Sequence, residues 1–382
     1  MNAEELIDQG TACRERNDPE GALKNYAEAF VVDRHSASAF NNYGNVLREI
    51  GDPLGGIPFL QRSIQLVPTA PTPNFNLAVA YLLAGDYARG WPQYEHRWNF
   101  EHLAGTLPKH EQPRWTGQDL QDKTILVVQE QGLGDVIQFV RFIYPLHAMG
   151  AKIILQVNNN LSPLFANSSI INQLIDMNDL PTGFDYWTPI MSLPGILGVT
   201  LENLPQQLSY LAARADLARE WQDRLGPKNR LRVGFCWSGR PDSWINRHKG
   251  MPFEIMYDLV KRNPNYEWIN LQVECTGEQS QALEKLGIAS YPGTIRNFAD
   301  TAALIHHMDV VISVDTAIAH LSGAIGRPTW IPLNWYGTDW RWLLNRDNSP
   351  WYPSARLFRQ PAIGDWTTVT NKIHQYLSWF KI

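Results

Sequence analysis

Lys123-Thr-Ile-Leu-Val-Val-Gln-Glu-Gln-Gly-Leu-Gly-Asp-Val-Ile-Gln-Phe-Val-Arg-Phe-Ile-Tyr144 is the stretch from which the fold is predicted. The unbroken apolar run from Ile125 to Val128 is typical of a strand buried on both faces. Gly132 and Gly134 are predicted to adopt backbone conformations that other residues avoid. Apolar residues then recur at helical spacing after Asp135. The pattern predicts a strand, a glycine turn and a helix, with Asp135 at the sheet edge where parallel α/β folds bind ligands.

A second stretch has the same pattern, Asp309-Val-Val-Ile-Ser-Val-Asp-Thr-Ala-Ile-Ala-His-Leu-Ser-Gly-Ala-Ile-Gly-Arg-Pro328. The free N–H groups and dipole of the predicted helix favour a bound anion. Thr316 offers a hydroxyl there, and His320 lies one turn on, on the same face. The alternative is that Asp315 caps the helix and His320 is a core residue. Two such units far apart in the chain predict two α/β lobes that face each other across a cleft.

Composition limits the classes of function. The chain has 382 residues and a net charge of -5, which gives no indication of a nucleic acid or anionic membrane partner. Its three cysteines are too widely spaced for a metal site or a disulfide framework. No apolar run approaches the length of a membrane span, and the acidic start lacks a signal core. We therefore expect a soluble cytoplasmic protein that is not transmembrane and does not bind nucleic acid.

Residues 1 to about 100 repeat at the 34-residue period of tetratricopeptide (TPR) helix pairs. Gly10, Gly44 and Ala78 recur at that period, where a first helix must let its partner approach closely. The repeats predict a concave surface for a peptide or protein, either a partner or an acceptor. The alternative is a cap or a dimerisation surface with no specific ligand. Asparagines that could bind an extended peptide backbone lie on or near the first helices, at Asn41, Asn42, Asn45, Asn74 and Asn76.

The second lobe is predicted to open with a strand that ends in a small-residue turn at Ser238 and Gly239. The loop that follows carries four basic residues, Arg240, Arg247, His248 and Lys249. If the two strands are neighbours in one sheet, these cations face the helix after Asp315. The chain has no DxD pair to hold a metal, so fixed basic groups and a helix dipole would neutralise a diphosphate. The alternative is a solvated loop.

The turn at Asp135 lacks the third glycine of a dinucleotide fingerprint, which argues against a nicotinamide or flavin cofactor. A carboxylate at a cleft edge is a candidate general base. The alternatives are that Asp135 only caps its helix, or that Glu130 is the base. The aromatic cluster between Trp330 and Tyr352 is predicted to be mostly core.

Two of these motifs resemble a known family. Gln131-Gly-Leu-Gly-Asp-Val-Ile-Gln-Phe139 and Val314–Pro328 are similar to the first-lobe turn and the nucleotide-phosphate motif of heptosyltransferase-like glycosyltransferases, glycosyltransferase family 9. Those enzymes have the GT-B fold. TPR units ahead of such a region resemble bacterial TPR-containing glycosyltransferases, as do residues 339–342 and 349–353.

The resemblance implies a role for Asp135 as the base. It implies donor-phosphate binding by the motif residues, namely Asp315, Thr316, Ala317 and His320. Lys249 corresponds to a basic residue that contacts the diphosphate, and Glu278 to a ribose-binding acid. Ala317 departs from the glycine common in heptosyltransferases, so neither the nucleotide nor the sugar follows from the resemblance.

The sequence thus predicts a TPR α-solenoid followed by an α/β GT-B fold of two Rossmann-like lobes. The predicted domains are three TPR units (1–105), an acceptor-side lobe (106–222) and a donor-side lobe (223–382). The C-terminal helix is expected to pack back on the first lobe. The predicted function is inverting, metal-independent transfer of a sugar from a nucleotide-diphosphate sugar, without a cofactor. The alternatives are a non-catalytic TPR scaffold on a degenerate GT-B body and a nucleotide-sugar epimerase.

Overall fold

Three helix pairs begin the chain in the computed structural model, which describes residues 1–100, 103, 105–239 and 249–380. The helices are α1 (Ala3–Glu15), α2 (Pro19–Val32), α3 (Ala37–Glu49), α4 (Pro53–Leu66), α5 (Pro71–Leu83) and α6 (Tyr87–Tyr94). An aspartate caps the second helix of each pair. The three caps, Asp18, Asp52 and Asp86, are 34 residues apart, and each accepts a hydrogen bond from a backbone N–H in the first turn of its helix. The residue before each cap is left-handed, namely Asn17, Gly51 and Gly85.

The small residues of the repeat lie where paired helices touch. A Cβ on Gly10 would come within 2.6 Å of the Tyr26 ring, and one on Gly44 within 2.7 Å of the Gly56 carbonyl oxygen. These distances are too short for any side chain, so the period of small residues follows from helix packing. The predicted TPR solenoid is confirmed.

A parallel sheet of four strands follows, in the order β3-β2-β1-β4. Its strands are β1 (Thr124–Val128), β2 (Lys152–Val157), β3 (Gln173–Asp176) and β4 (Tyr186–Pro189). The helices of this lobe are α7 (Leu133–Phe139), α8 (Ile143–Ala148), α9 (Ser162–Phe165), α10 (Leu193–Ile196) and α11 (Ala215–Leu225). Side chains from Leu126 to Val128 are almost fully buried, as expected for a central parallel strand.

The second lobe is a parallel sheet of five strands, in the order β6-β5-β7-β8-β9. The strands are β5 (Arg232–Cys236), β6 (Glu267–Asn270), β7 (Val310–Ser313), β8 (Thr329–Leu333) and β9 (Ala355–Arg359). The helices are α12 (Phe253–Lys261), α13 (Gly277–Lys285), α14 (Phe298–Ile305), α15 (Ala317–Ala324) and α16 (Trp366–Trp379). The C-terminal helix α16 packs on α12 and β9 of its own lobe, so the expectation that it packs back on the first lobe is wrong. The two Rossmann-like lobes of a GT-B fold are thus present.

The two lobes meet where the N-terminal ends of α7 and α15 pack on each other. Gly134 is essential for this contact, because a Cβ there would lie 3.0 Å from Cδ2 of His320 and 3.3 Å from Cα of Ala317. The expectation that Gly132 and Gly134 adopt unusual backbone conformations is wrong. Neither has a positive φ, and the left-handed residue of the turn is Gln131, with φ 57°. These positions require glycine because a Cβ would be too close to neighbouring atoms, and not because the backbone has a positive φ.

An aromatic seam joins the TPR unit to both lobes. The Trp340 ring packs edge-on against Trp91 of α6 at 5.4 Å and lies 5.9 Å from Trp351, while Phe139 of α7 lies 5.8 Å from Trp351. Trp340, Trp342, Trp351 and Tyr352 are all buried. The prediction that the aromatic cluster is mostly core is therefore confirmed, and one apolar core runs through all three parts of the chain.

We predict that Gly134→Ala lowers the free energy of unfolding by about 1–3 kcal/mol, because the added methyl group overpacks the contact between α7 and α15. Chemical denaturation measures this change. Gly277→Ala is the matched control: it also lies in the first turn of a helix, but a Cβ there meets nothing within 4 Å. Equal stability of the two variants would contradict the packing argument.

Candidate functional site

The turn before α7 holds Asp135 in a fixed position. Its Oδ2 atom accepts a hydrogen bond from the N–H of Gly132 at 2.8 Å, so the carboxylate does cap its own helix. The left-handed Gln131 is held by the Tyr94 hydroxyl of α6, which lies 3.0 Å from Nε2 and 3.3 Å from Oε1. Burial raises the pKa of Tyr94 to about 12, so the hydroxyl stays neutral. The TPR unit thus touches the turn that carries Asp135.

Arg341 reaches Asp135 from the second lobe. Its Nη2 atom pairs with Asp135 Oδ1, and Nε donates to Gln138 Oε1 at 2.6 Å. Its Nη1 atom donates to Asp339 Oδ1 at 3.0 Å, and the guanidinium lies over the Trp340 ring at 4.4 Å. Burial alone would lower the pKa of Arg341, but Asp339 and Asp135 raise it above its usual value. The Asp135 side chain remains 20% exposed, so one side of the carboxylate is open.

At the second helix start, Thr316 caps α15. Its Oγ1 atom accepts from the N–H of Ile318 at 3.3 Å and lies 2.9 Å from the Ser313 hydroxyl. The alternative in which Asp315 is the cap is therefore wrong. Asp315 instead binds Lys249, whose Nζ atom lies 2.6 Å from Oδ2. Burial alone would raise the pKa of Asp315, but Lys249 and His320 outweigh it and hold that pKa well below its usual range.

Lys249 connects the two helix starts. Its Nζ atom also lies 3.0 Å from Oδ2 of Asp339, the residue that binds Arg341. Asp315, Lys249, Asp339, Arg341 and Asp135 therefore form a row of alternating charges from α15 to α7, which we call the charge row. Burial opposes the charge on Lys249, but the two aspartates outweigh it and raise the pKa of the ammonium group. The structure thus brings Asp135, Asp315, Thr316, Ala317, His320 and Lys249 together.

His320 is enclosed by protein groups. Its Nδ1 atom lies 2.8 Å from the Tyr352 hydroxyl, and its Nε2 atom lies 3.6 Å from Asp315 Oδ1. The ring stacks on Trp342 at 5.4 Å between centroids. Since only 5% of the residue is exposed, a ligand would have to take the place of Asp315 to meet Nε2.

The small-residue turn lies beside the start of α15, because β5 and β7 are parallel neighbours as the sequence argument required. Ser238 donates its N–H to Oε1 of Gln272 at 3.2 Å, and both Ser238 and Gly239 are half-buried. Cys236 Sγ lies 4.0 Å from Thr316 Oγ1. Three of the four predicted cations, Arg240, Arg247 and His248, lie outside the described residues.

Glu278 is exposed in the first turn of α13, after the edge strand β6. It lines a groove of about 420 Å³ with Phe253, Tyr257 and Lys285. The strand β5 separates β6 from β7 in the sheet, so Glu278 lies two strands away from the helix start at Thr316. Its assignment to a ribose stays a prediction.

Glu130, the rival carboxylate, is committed to a buried ion pair. Arg97 donates to both carboxylate oxygens of Glu130, from Nε to Oε2 and from Nη2 to Oε1, each at 2.8 Å. The N–H of Met191 also donates to Oε1, at 3.0 Å. Burial raises the pKa of Glu130 in spite of Arg97, a shift that would suit a base. However, Glu130 is only 9% exposed and both oxygens are occupied, so an acceptor hydroxyl has no approach to it.

Sequence reasoning gave no role to Asp339, Arg341 or Tyr94. The run Asp339-Trp-Arg-Trp342 was visible as a feature of the TPR-bearing branch, but its alternating charges had no visible partners. Those partners lie more than 200 residues away in the case of Arg341 and Asp135. Within the described residues, no group of three or more His, Cys, Asp or Glu side chains could hold a metal ion. No described helix is long and apolar enough to cross a membrane.

Comparison with known proteins ties one segment of this site to a family. The family model for glycosyltransferase family 9 (heptosyltransferase) matches residues 294–333. This segment runs from the turn before α14 to the end of β8 and contains Asp315, Thr316, Ala317 and His320. The protein FlbA of Caulobacter vibrioides is 27% identical over 427 residues, covering 95% of this chain and 70% of that protein.

Solved structures resemble separate parts of the chain. The ADP-heptose heptosyltransferase II of E. coli aligns with 67% of this chain and 98% of its own, at 14% identity and a TM-score of 0.47. The first TPR of Spaghetti (RPAP3), bound to the HSP90 peptide SRMEEVD, aligns with 28% of this chain and 85% of its own, at 11% identity and a TM-score of 0.26. The protein joins a TPR unit to a two-lobe α/β body, of which residues 294–333 match the model for glycosyltransferase family 9.

We predict that Glu130→Gln destabilises the protein by about 1.5–3 kcal/mol, the usual worth of a hydrogen bond to a charged group, because the buried Arg97 loses Glu130 but keeps its ion pair with Glu95. The measurement is the free energy of unfolding in urea. Asp347→Asn is the control, because it breaks an exposed pair with Arg356 and should cost at most about 1 kcal/mol. A stable Glu130→Gln protein would contradict a structural role for this pair.

We predict that acid weakens the protein partly through Lys249. The pKa of Asp315 is depressed in the folded state, so its contribution to stability is complete above its ordinary value of 3.8 and is lost as pH falls through the folded value. In Lys249→Met, only His320 still opposes the effect of burial on the pKa of Asp315, so protonation of Asp315 costs less. The loss of unfolding free energy between about pH 5 and pH 3 should therefore be smaller in the variant than in the wild type. Equal losses would contradict this coupling.

Proposed function

We propose that this protein is an inverting, metal-independent glycosyltransferase that uses a nucleotide-diphosphate sugar. The observation that carries the proposal is the charge row, which joins two helix starts at the carboxyl edges of two facing parallel sheets. The segment matched by glycosyltransferase family 9 lies on one side of it. Open α/β sheets bind ligands at this edge, and a diphosphate needs fixed positive groups when no metal is used.

The donor diphosphate would bind at the start of α15. Free N–H groups of the first turn and the Thr316 hydroxyl would donate to its oxygens. Lys249 would turn from Asp339 towards the phosphate while keeping Asp315, since the ammonium group has three donors. Ser238 and Gly239 would line the same pocket, and His320 would lie behind it and hold Asp315. Arg247 remains part of the proposal as a second cation.

Asp135 would act as the general base for the acceptor hydroxyl. The hydroxyl oxygen forms a bond to the anomeric carbon as the bond to the leaving diphosphate breaks on the opposite face, and its proton passes to the carboxylate. Because α7 and α15 belong to different lobes, the base and the donor site would lie on the two sides of the attacked carbon. Arg341 would hold Asp135 in orientation.

The TPR unit would present the acceptor or a partner that brings it. Asn76 Nδ2 donates to Asn41 Oδ1 and Asn41 Nδ2 to Asn42 Oδ1, both at 2.9 Å, which links α3 to α5 through polar side chains. Asn74 differs, because its amide closes a turn through the carbonyls of Pro68 and Ala70. The exposed parts of Asn42 and Asn76 are therefore the better candidates for contact with a peptide.

One observation favours a second function, a non-catalytic scaffold. Every member of the charge row is already paired with another member, and His320 has a protein partner at each nitrogen. A degenerate body that binds a nucleotide without turnover would tolerate such pairing.

A screen of nucleotide-diphosphate sugars in the presence of EDTA separates these functions. Sugar transfer or slow hydrolysis of a donor supports the glycosyltransferase. Nucleotide binding in calorimetry without turnover supports the scaffold, and conversion of one nucleotide sugar into another supports an epimerase. Loss of all activity in EDTA, restored by a divalent cation, would contradict the metal-independent mechanism.

We predict that Asp135→Asn lowers kcat about 10²–10⁴-fold, the usual contribution of a general base. Donor affinity should stay close to that of the wild type, because the donor is proposed to bind at α15. Thermal stability should fall, because the buried Arg341 loses one of its two carboxylate partners and keeps only Asp339. Steady-state kinetics with the best donor from the screen measures the change. Turnover near the wild-type value would contradict the role of Asp135 as the base. Its remaining roles would be to cap α7 and to pair with Arg341.

A further inference from the structure

The loop from Asn334 to Trp342, which we call the bridging loop, touches all three parts of the chain. It leaves β8 of the second lobe, enters the TPR unit at Tyr336, and reaches the first lobe at Arg341. Two members of the charge row, Asp339 and Arg341, lie on this loop. What fixes the loop therefore fixes the site between the lobes.

The TPR end of the loop is held by Glu49, the last residue of α3. The Tyr336 hydroxyl donates to Glu49 Oε2 at 2.7 Å, and the N–H of Gly337 donates to the Glu49 carbonyl oxygen at 2.8 Å. Glu49 is 7% exposed and also accepts from Arg14 Nε at 2.8 Å and Asn45 Nδ2 at 3.1 Å. A buried carboxylate with this many donors has little freedom to move.

The carboxylate keeps its charge. Burial alone would raise the pKa of Glu49, but Arg14 and Arg48 outweigh it and lower that pKa. Arg48 is also within electrostatic range of the site: burial lowers the pKa of its guanidinium, and Glu49 and Asp339 oppose that shift. Charged side chains of α1 and α3 in the TPR unit therefore extend to the edge of the charge row.

The loop is stiff between its two ends. Thr338 Oγ1 donates to the carbonyl oxygen of Asn334 at 2.6 Å, and the Asn334 amide donates to the carbonyl oxygen of Tyr336. Only two residues then separate Tyr336 from Asp339, whose carboxylate binds Lys249 and Arg341. A shift of Tyr336 would therefore move Asp339 and Arg341 as well.

We propose that Glu49 and Tyr336 are positioning residues for the transfer reaction, so that the TPR unit orients Asp135 through the bridging loop. This inference rests on the proposed function. It adds that the TPR unit completes the catalytic geometry even for a reaction in which no acceptor contacts the groove, such as hydrolysis of the donor by water.

The test uses the full-length chain and Tyr336→Phe, which removes only the hydroxyl that binds Glu49. We expect donor hydrolysis to lose about tenfold in kcat, the equivalent of one hydrogen bond of about 1.4 kcal/mol. Affinity for the nucleoside diphosphate should stay within about twofold, because Lys249 remains bound to Asp315. Glu49→Gln keeps an acceptor for Tyr336 and should retain more activity than Glu49→Ala. Tyr266→Phe is the matched control, since its hydroxyl binds the Leu377 carbonyl in the second lobe, away from the loop.

Amide hydrogen exchange gives a readout that needs no turnover. In Tyr336→Phe, exchange should quicken in residues 334–342 and also in residues 131–139, where the Gly132 N–H is held by Asp135. Unchanged exchange at 131–139 would overturn the inference, because the loop would then not reach the base. Faster exchange with unchanged kcat would overturn it too. If the wild-type chain never turns over a donor, the proposed function is wrong. The catalytic role of the loop is then wrong as well, whatever the hydrogen exchange shows.

Discussion

The placement of Lys249 between Asp315 and Asp339 is the interaction on which the site depends. Buried charges are stable only when they are paired and hydrogen-bonded, and removing one partner leaves the other at a high cost. The row solves this by alternation. Asp339 meets a cation on either side, Asp135 meets Arg341 and the N–H of Gly132, and Asp315 meets Lys249 and His320. Because its members come from both lobes, the pairing also sets how the lobes face each other.

The same pairing bears on the proposal that the site binds a diphosphate without a metal. Lys249 is charged whether or not a ligand is present, because two aspartates raise its pKa. An incoming phosphate would compete with Asp339 for a group that is already desolvated and oriented. Little reorganisation would then be needed at the moment of reaction, which is the main source of electrostatic catalysis.

Much of the fold could be predicted from the sequence, because its signals are local. An apolar run such as Ile125–Val128 indicates a buried parallel strand. The 34-residue spacing of Gly10 and Gly44 indicates where paired helices pack closely. The pairing of β5 with β7 was only a condition of the argument about the basic loop, and the sheet meets that condition. Asp135, Thr316 and His320 were found because each follows a strand in a short motif.

The rest depended on contacts distant in sequence. Nothing near Arg341 indicates that it binds Asp135, and nothing near Glu49 indicates that Tyr336 lies above it. The cap at α15 was ambiguous because Asp315 and Thr316 are both good caps, and only Lys249 decides between them. Gly134 was found, but for the wrong reason, since the neighbour that requires it belongs to the other lobe.

The aromatic seam has a consequence for how this chain holds together. Trp91 of the TPR unit, Phe139 of the first lobe and Trp340 of the second are 6.4 Å or less apart, ring to ring, and all three are buried. A cut near residue 105 or residue 222 would bring large aromatic surfaces into water on both fragments. The borders visible in the sequence therefore do not mark parts that could be separated without exposing this shared core.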